Sequence, residues 1–134
     1  MTAIAAETAF FGKTYGEAVD LLLVARDYLA HDEPGERRAL MPTQRLAMCS
    51  ETLRLTARLT QIMAWLLAQR AVHSGELSRE KALGDEPLAA LDVCMDGEAE
   101  EDRDLPPRLV DLLGRSRRLY VRVTRLDELA RRMA

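Results

Sequence analysis

The chain has 134 residues, of which 48% are apolar and 31% charged, with a formal net charge of −3. That is one domain's worth of a globular, soluble protein, long enough to bury a core without disulfide or metal staples. A total charge this close to neutral marks neither nucleic acid nor a membrane surface as a partner. Aromatic residues are only 4%, and a core drawn mainly from Leu, Val, Ala and Met favours helices over sheets.

The opening stretch, MTAIAAETAFFGK, lacks the basic and long apolar regions of a secretory signal. Phe11, Tyr15, Ala18, Leu22, Ala25 and Leu29 recur at alternating spacings of four and three, which predicts a helix over about residues 8–31. Thr14 to Glu17 resembles a capping box, although Phe10 and Phe11 argue for an earlier start. HDEPGER then stops the helix, because Pro34 and Gly35 break helical geometry.

A second helix is predicted over about 42–73. Pro42 suits a first helical position and Gly75 a left-handed C-cap. Roughly thirty residues at 1.5 Å each make a rod of about 45 Å. Leu46, Cys49, Leu53, Thr56, Thr60, Met63 and Leu67 form one stripe, and Leu55, Leu59, Ile62 and Leu66 the adjoining one. Together they read as a wide core-facing surface with Cys49 buried. The uncharged run from Leu59 to Gln69 lies between Arg58 and Arg70. It is too short for a bilayer, which needs about 20 apolar residues.

A short helical turn follows, with Ser78 as N-cap and Gly84 as stop. Residues 84–104 then carry nine acids against one arginine, a net of −8, so the rest of the chain carries about +5. This acidic stretch reads as a mobile linker that touches the body through Leu88 and Leu91, with Cys94 an exposed thiol. A third helix is predicted over about 106–132. Leu109, Leu112, Ser116, Leu119, Val123, Leu126, Ala130 and Met133 form its seam, and eight arginines occupy its other faces. The expected architecture is all-α: one domain, residues 1–134, built as an antiparallel three-helix bundle whose apolar faces leave area for a dimer.

No catalytic constellation stands out. His31 and His73 fall at helix C-termini, where a cationic His suits the macrodipole. No HExxH, GxSxG, CxxC or phosphate-cradling glycine loop is present, so neither a cofactor nor a metal is expected. Two cysteines without framework spacing indicate a reducing, cytoplasmic compartment. The candidate site lies on the second helix. Glu51, Arg54, Arg58, Gln61 and the sole tryptophan, Trp65, follow at spacings of three or four, with Gln69 and Arg70 nearby. Trp and Arg are the residue types enriched among binding hot spots. The same residues equally suit an i,i+3 ion pair and core filler. The arginine-rich third helix supports an alternative, nucleic-acid binding. Against it, no helix-turn-helix spacing or interleaved aromatics accompany the arginines.

Two segments carry a family resemblance. SETLRLTARLTQIMAWLLAQRAVHSGELS (50–78) and LPPRLVDLLGRSRRLYVRVTRLDEL (105–129) resemble the RcdA family, named for regulator of CtrA degradation. VARDYL fits its N-terminal part, and the likeness covers most of the chain. The resemblance implies a dimeric three-helix bundle in the bacterial cytoplasm and no enzymatic activity. It implies an adaptor or regulator of cell-cycle proteolysis, with ClpX and response regulators or other cell-cycle factors as partners. It assigns no residue a role but places Arg54, Arg58, Trp65, Gln69 and Arg70 inside the signature helix. The chain stops at Ala134, directly after the third helix, which leaves no room for a C-terminal tether.

Overall fold

The computed structural model describes the backbone of residues 2–95 and 104–133, and side chains from Phe11 onward. Every regular element among them is helical. In chain order these are α1 (Thr2–Asp27), a π turn (Tyr28–Asp32), α2 (Glu33–Arg38) and α3 (Pro42–His73). They are followed by α4 (Arg79–Leu83), a 3-10 turn (Leu88–Ala90), α5 (Asp92–Met95) and α6 (Pro107–Met133). The long helices α1, α3 and α6 each pack against the other two, and α4, the 3-10 turn and α5 lie against α6 or α3.

α3 begins and ends where local chemistry dictates. Pro42 opens it, and the Gln44 side chain reaches back to accept from the Met41 N–H at 3.2 Å. At its end, Glu76 N–H bonds the Ala71 carbonyl and Gly75 N–H the Val72 carbonyl, at 2.9 and 3.1 Å. That is a Schellman pair, and it requires the left-handed φ of +80° that Gly75 adopts. The Ser78 hydroxyl caps α4 by accepting from Lys81 N–H.

Three expectations need correction. Pro34 does not end the first helical run, which continues to Arg38. The chain passes the proline by widening: Glu33 N–H bonds Tyr28 C=O five residues back. Pro34 then falls in the first turn of α2, where a missing N–H costs nothing. The buried Tyr28 hydroxyl donates to Glu36 at 2.7 Å, and Arg108 lies over its ring and pairs with Asp32. Second, Thr14 is no cap. It lies buried within α1, in the row Thr14, Ala18, Leu21, Ala25 and Tyr28, one residue out of phase with the expected Leu22. With Leu21, Leu22 and Leu23 all apolar, spacing alone could not fix the phase.

The third correction concerns the acidic stretch. Residues 84–95 are not a loose tether. Leu88 and Cys94 are buried, within a 3-10 turn and α5 that pack on the helical body. The rest of that expectation falls on residues 96–103, outside the described residues. The two thiols are the reverse of the sequence reading, with Cys49 exposed and Cys94 buried.

Candidate interaction site

The buried face of α3 is the row Met48, Glu51, Leu55, Arg58, Ile62, Trp65 and Gln69, at spacings of three and four, flanked by Leu59 and Leu66. It takes in Glu51, Arg58, Trp65 and Gln69 from the row that the sequence suggested as a surface edge, whereas Arg54 and Gln61 are half-buried and Arg70 is exposed. Arg58 is 0% exposed and Trp65 5%, so in this chain both meet other parts of the same molecule. Of the two stripes expected to face the core, Leu55, Leu59, Ile62 and Leu66 are buried as expected, but the other largely faces out: Leu46, Leu53 and Leu67 are 74%, 69% and 50% exposed, and Cys49, Thr56 and Thr60 lie along the same line.

The inward polar groups form clasps on residues 83–95. Arg58 Nε donates to Cys94 C=O at 2.8 Å, and its Nη1 donates to Leu113 C=O and the Ser116 hydroxyl on α6. Arg54 Nε donates to Val93 C=O at 3.0 Å, while its Nη1 holds both Glu51 carboxylate oxygens at 2.7 and 2.8 Å. The physical need is plain. α5 is one turn long, so its carbonyls have no partners of their own. Buried carbonyls must be paired, and a guanidinium offers five N–H donors.

The second clasp centres on Asp127, which is fully buried. Its Oδ1 accepts from Trp65 Nε1 at 3.0 Å, and its Oδ2 accepts from Leu88 N–H and Arg131 Nε at 3.1 and 2.9 Å. Arg131 also donates to the carbonyls of Leu83, Gly84 and Glu86. Tyr120 donates to Leu88 C=O at 2.7 Å. Burial pushes the Tyr120 hydroxyl and the Cys94 thiol above their ordinary ranges; the neighbouring Cys94 raises Tyr120 further, whereas a Tyr120 hydrogen bond and Arg58 partly offset Cys94.

The six candidate residues therefore separate into three places. Arg54 and Arg58 grip α5. Gln61 and Trp65 line a cavity of about 160 Å³ with Asp127 and Arg131. Gln69 and Arg70 open on a cleft of about 520 Å³ between α1 and the end of α3. There Arg70 lies 4.8 Å over the Tyr15 ring, and Phe11 contacts both Trp65 and His73 at centroid distances of 6.0 and 5.4 Å. Sequence reasoning missed Ser116's role as an Arg58 acceptor, and missed Tyr120, Asp127 and Arg131 altogether. The available signal was Asp127 itself, an acid four residues after Val123 on the α6 seam.

Among the described residues, no cluster of three or more His, Cys, Asp or Glu side chains is placed to hold a metal, and no helix is long and apolar enough to cross a membrane. The chain matches, over residues 3–134, the model of a family described as "Protein of unknown function (DUF1465)". It is also similar to the crystal structure of RcdA from Caulobacter crescentus CB15. The two are 34% identical with a TM-score of 0.74, over 90% of this chain and 89% of that one. No curated protein matches.

Proposed function

We propose, from the premise that the chain belongs to the RcdA family, that it is a non-enzymatic adaptor assisting ClpXP-dependent proteolysis of cell-cycle regulators. In this reading the chain is one domain, an antiparallel three-helix bundle, and works in the cytoplasm as a homodimer. The observation that carries it is likeness to RcdA along nearly the whole of both chains. An adaptor needs no reaction chemistry of its own. It binds two partners and raises their effective concentration.

The outward row of α3 supports the homodimer. From Leu46 to Leu67 it runs about 31 Å at 1.5 Å per residue. Its three exposed leucines share one line with Cys49, Thr56 and Thr60, which gives the helix an uncharged outer stripe. A copy of the same helix offers it a self-complementary surface. Of the six candidate residues, Gln69 and Arg70 border an open cleft and are the ones we assign to partner contact. Arg54, Arg58, Gln61 and Trp65 act by fixing the shape of the surface above them.

The test is a reconstituted degradation assay with ClpX, ClpP and a panel of response regulators. The expected result is that adding the protein accelerates turnover of at least one of them and that it is retained on immobilised ClpX. Unchanged turnover across the panel together with no retention by ClpX would overturn the adaptor reading.

A further inference from the structure

The face of the molecule between α1 and α6 carries a groove of about 600 Å³. Its α6 wall presents Arg115, Arg118, Arg122 and Arg125, at spacings of three, four and three, and so in one row. Arg117 adds a fifth guanidinium. The floor is aliphatic, with Leu21 and Leu119 both buried. The opposite wall, on α1, supplies Glu17 and Asp20.

The charges in this groove are incompletely answered. Arg122 pairs with Glu17, both about half exposed, and Arg115 lies 3.7 Å from Asp111 on its own helix. Arg118 and Arg125 have no carboxylate within ion-pair distance among the described residues. Five cations thus line the groove against two carboxylates, in a chain whose total charge is −3.

We propose that this groove receives an acidic segment of a partner protein, one that presents carboxylates about one helical turn apart. The arginine row covers ten residue steps, about 15 Å along the helix, and its guanidinia repeat at the pitch at which a partner helix repeats its own side chains. Arg forks pair carboxylates two bonds at a time. A nucleic acid fits the groove less well. Its phosphates would run past Glu17 and Asp20, and the aliphatic floor has no aromatic ring on which bases could stack. A protein segment can turn its acids to α6 and neutral or basic side chains to α1. The inference extends the interaction-protein reading without needing proteolysis. The groove and the degradation assay succeed or fail separately.

The experiment is fluorescence anisotropy with three labelled probes: a helical peptide with Glu at every third or fourth position, the same peptide with Gln in those places, and a single-stranded DNA oligonucleotide. The variant is Arg118→Glu with Arg125→Glu, both exposed and without an ion-pair partner among the described residues, and circular dichroism verifies its fold. We expect the Glu peptide to bind, the Gln peptide not to bind, and affinity to fall with added salt. Reversing two charges should weaken the Glu peptide by about tenfold or more. The proposal is overturned if the Glu peptide does not bind, if the double variant binds it equally well, or if the DNA binds more tightly with the same dependence on the two arginines.

Discussion

The two faces of α3 depart from a clean amphipathic division. A helix at a protein surface ordinarily turns its apolar stripe inward and its charges outward. Here the inward face sets Glu51, Arg58 and Gln69 among the apolar Met48, Leu55, Leu59, Ile62, Trp65 and Leu66, and the outward face sets Leu46, Leu53 and Leu67 among Thr56, Thr60 and other polar residues. The difference follows from what each face must satisfy. The inward row meets residues 83–95, whose main-chain carbonyls would otherwise be buried without donors. Arg54 and Arg58 supply those donors. The outward row meets no other part of the described chain, so nothing there requires polar side chains in place of its leucines. Hydropathy on a helix thus records the chemistry of the neighbour, and only indirectly the distance from solvent.

The contrast can be broken at several points, beginning with the largest effect. Arg58→Ala should cost about 3–5 kcal/mol, because it takes a charged donor from buried acceptors at Cys94, Leu113 and Ser116, each worth about 1–3 kcal/mol when left unsatisfied. Urea denaturation measures it, and a loss of only a few tenths would mean the inward row is not structural. Trp65→Phe keeps the ring packing but takes the indole donor from Asp127, and should cost about 1–3 kcal/mol on the same measurement. A third prediction concerns alkali. In the fold the protons of Cys94, Tyr28 and Tyr120 are held above the ordinary values of 9.0 and 10.0, first by burial. Above pH 9 the unfolded chain loses protons that the native chain retains, so stability is whole below that pH and declines as pH rises beyond it. A melting temperature that is flat from pH 8 to 11 would contradict the burial of these groups.

The outward face should respond in the opposite way. Leu53→Asp is expected to change protomer stability by no more than about 0.5 kcal/mol, as surface substitutions do. Under the proposed homodimer it should abolish self-association in sedimentation. A destabilisation approaching that of Arg58→Ala would erase the distinction between the two faces. The smallest perturbation uses the native thiols. Cys49 should react with a thiol-specific reagent in the folded protein and Cys94 only on unfolding, and concentrating the protein should slow Cys49 alone if the outer row pairs.

Much of this was legible from residue order. Pro42, Gly75, Ser78 and Gly84 act on their own few neighbours, so the bounds of α3 and α4 follow from local rules. The α6 seam was equally clear, because Leu109, Leu112, Ser116, Leu119 and Val123 have strongly charged surroundings. The phase of α1 was not, since three consecutive apolar residues fit either register. The candidate site was found and turned inside out for a different reason. The Glu51–Arg54 pair at i,i+3 was legible in the row itself, but the partners of Arg58 and Trp65 are carbonyls, a hydroxyl and a carboxylate 36 or more residues away. Pattern within one helix carries no information about such partners. Residues 84–95 were misjudged likewise: their acidity suggested solvent, whereas their path is set by the donors of α3 and α6.

That mode of attachment has a consequence for how the segment tolerates change. Arg54, Arg58, Tyr120 and Arg131 all grasp main-chain oxygens, at Val93, Cys94, Leu88 and the stretch from Leu83 to Glu86. An oxygen of the peptide group is the same whatever side chain its residue bears. Apart from Gly84, whose φ of +67° is left-handed, and Leu88, Leu91, Cys94 and Met95, which pack on the core, the segment can therefore exchange its side chains while keeping its course across the molecule. Its outer surface is a place where recognition can drift without disturbing the architecture beneath.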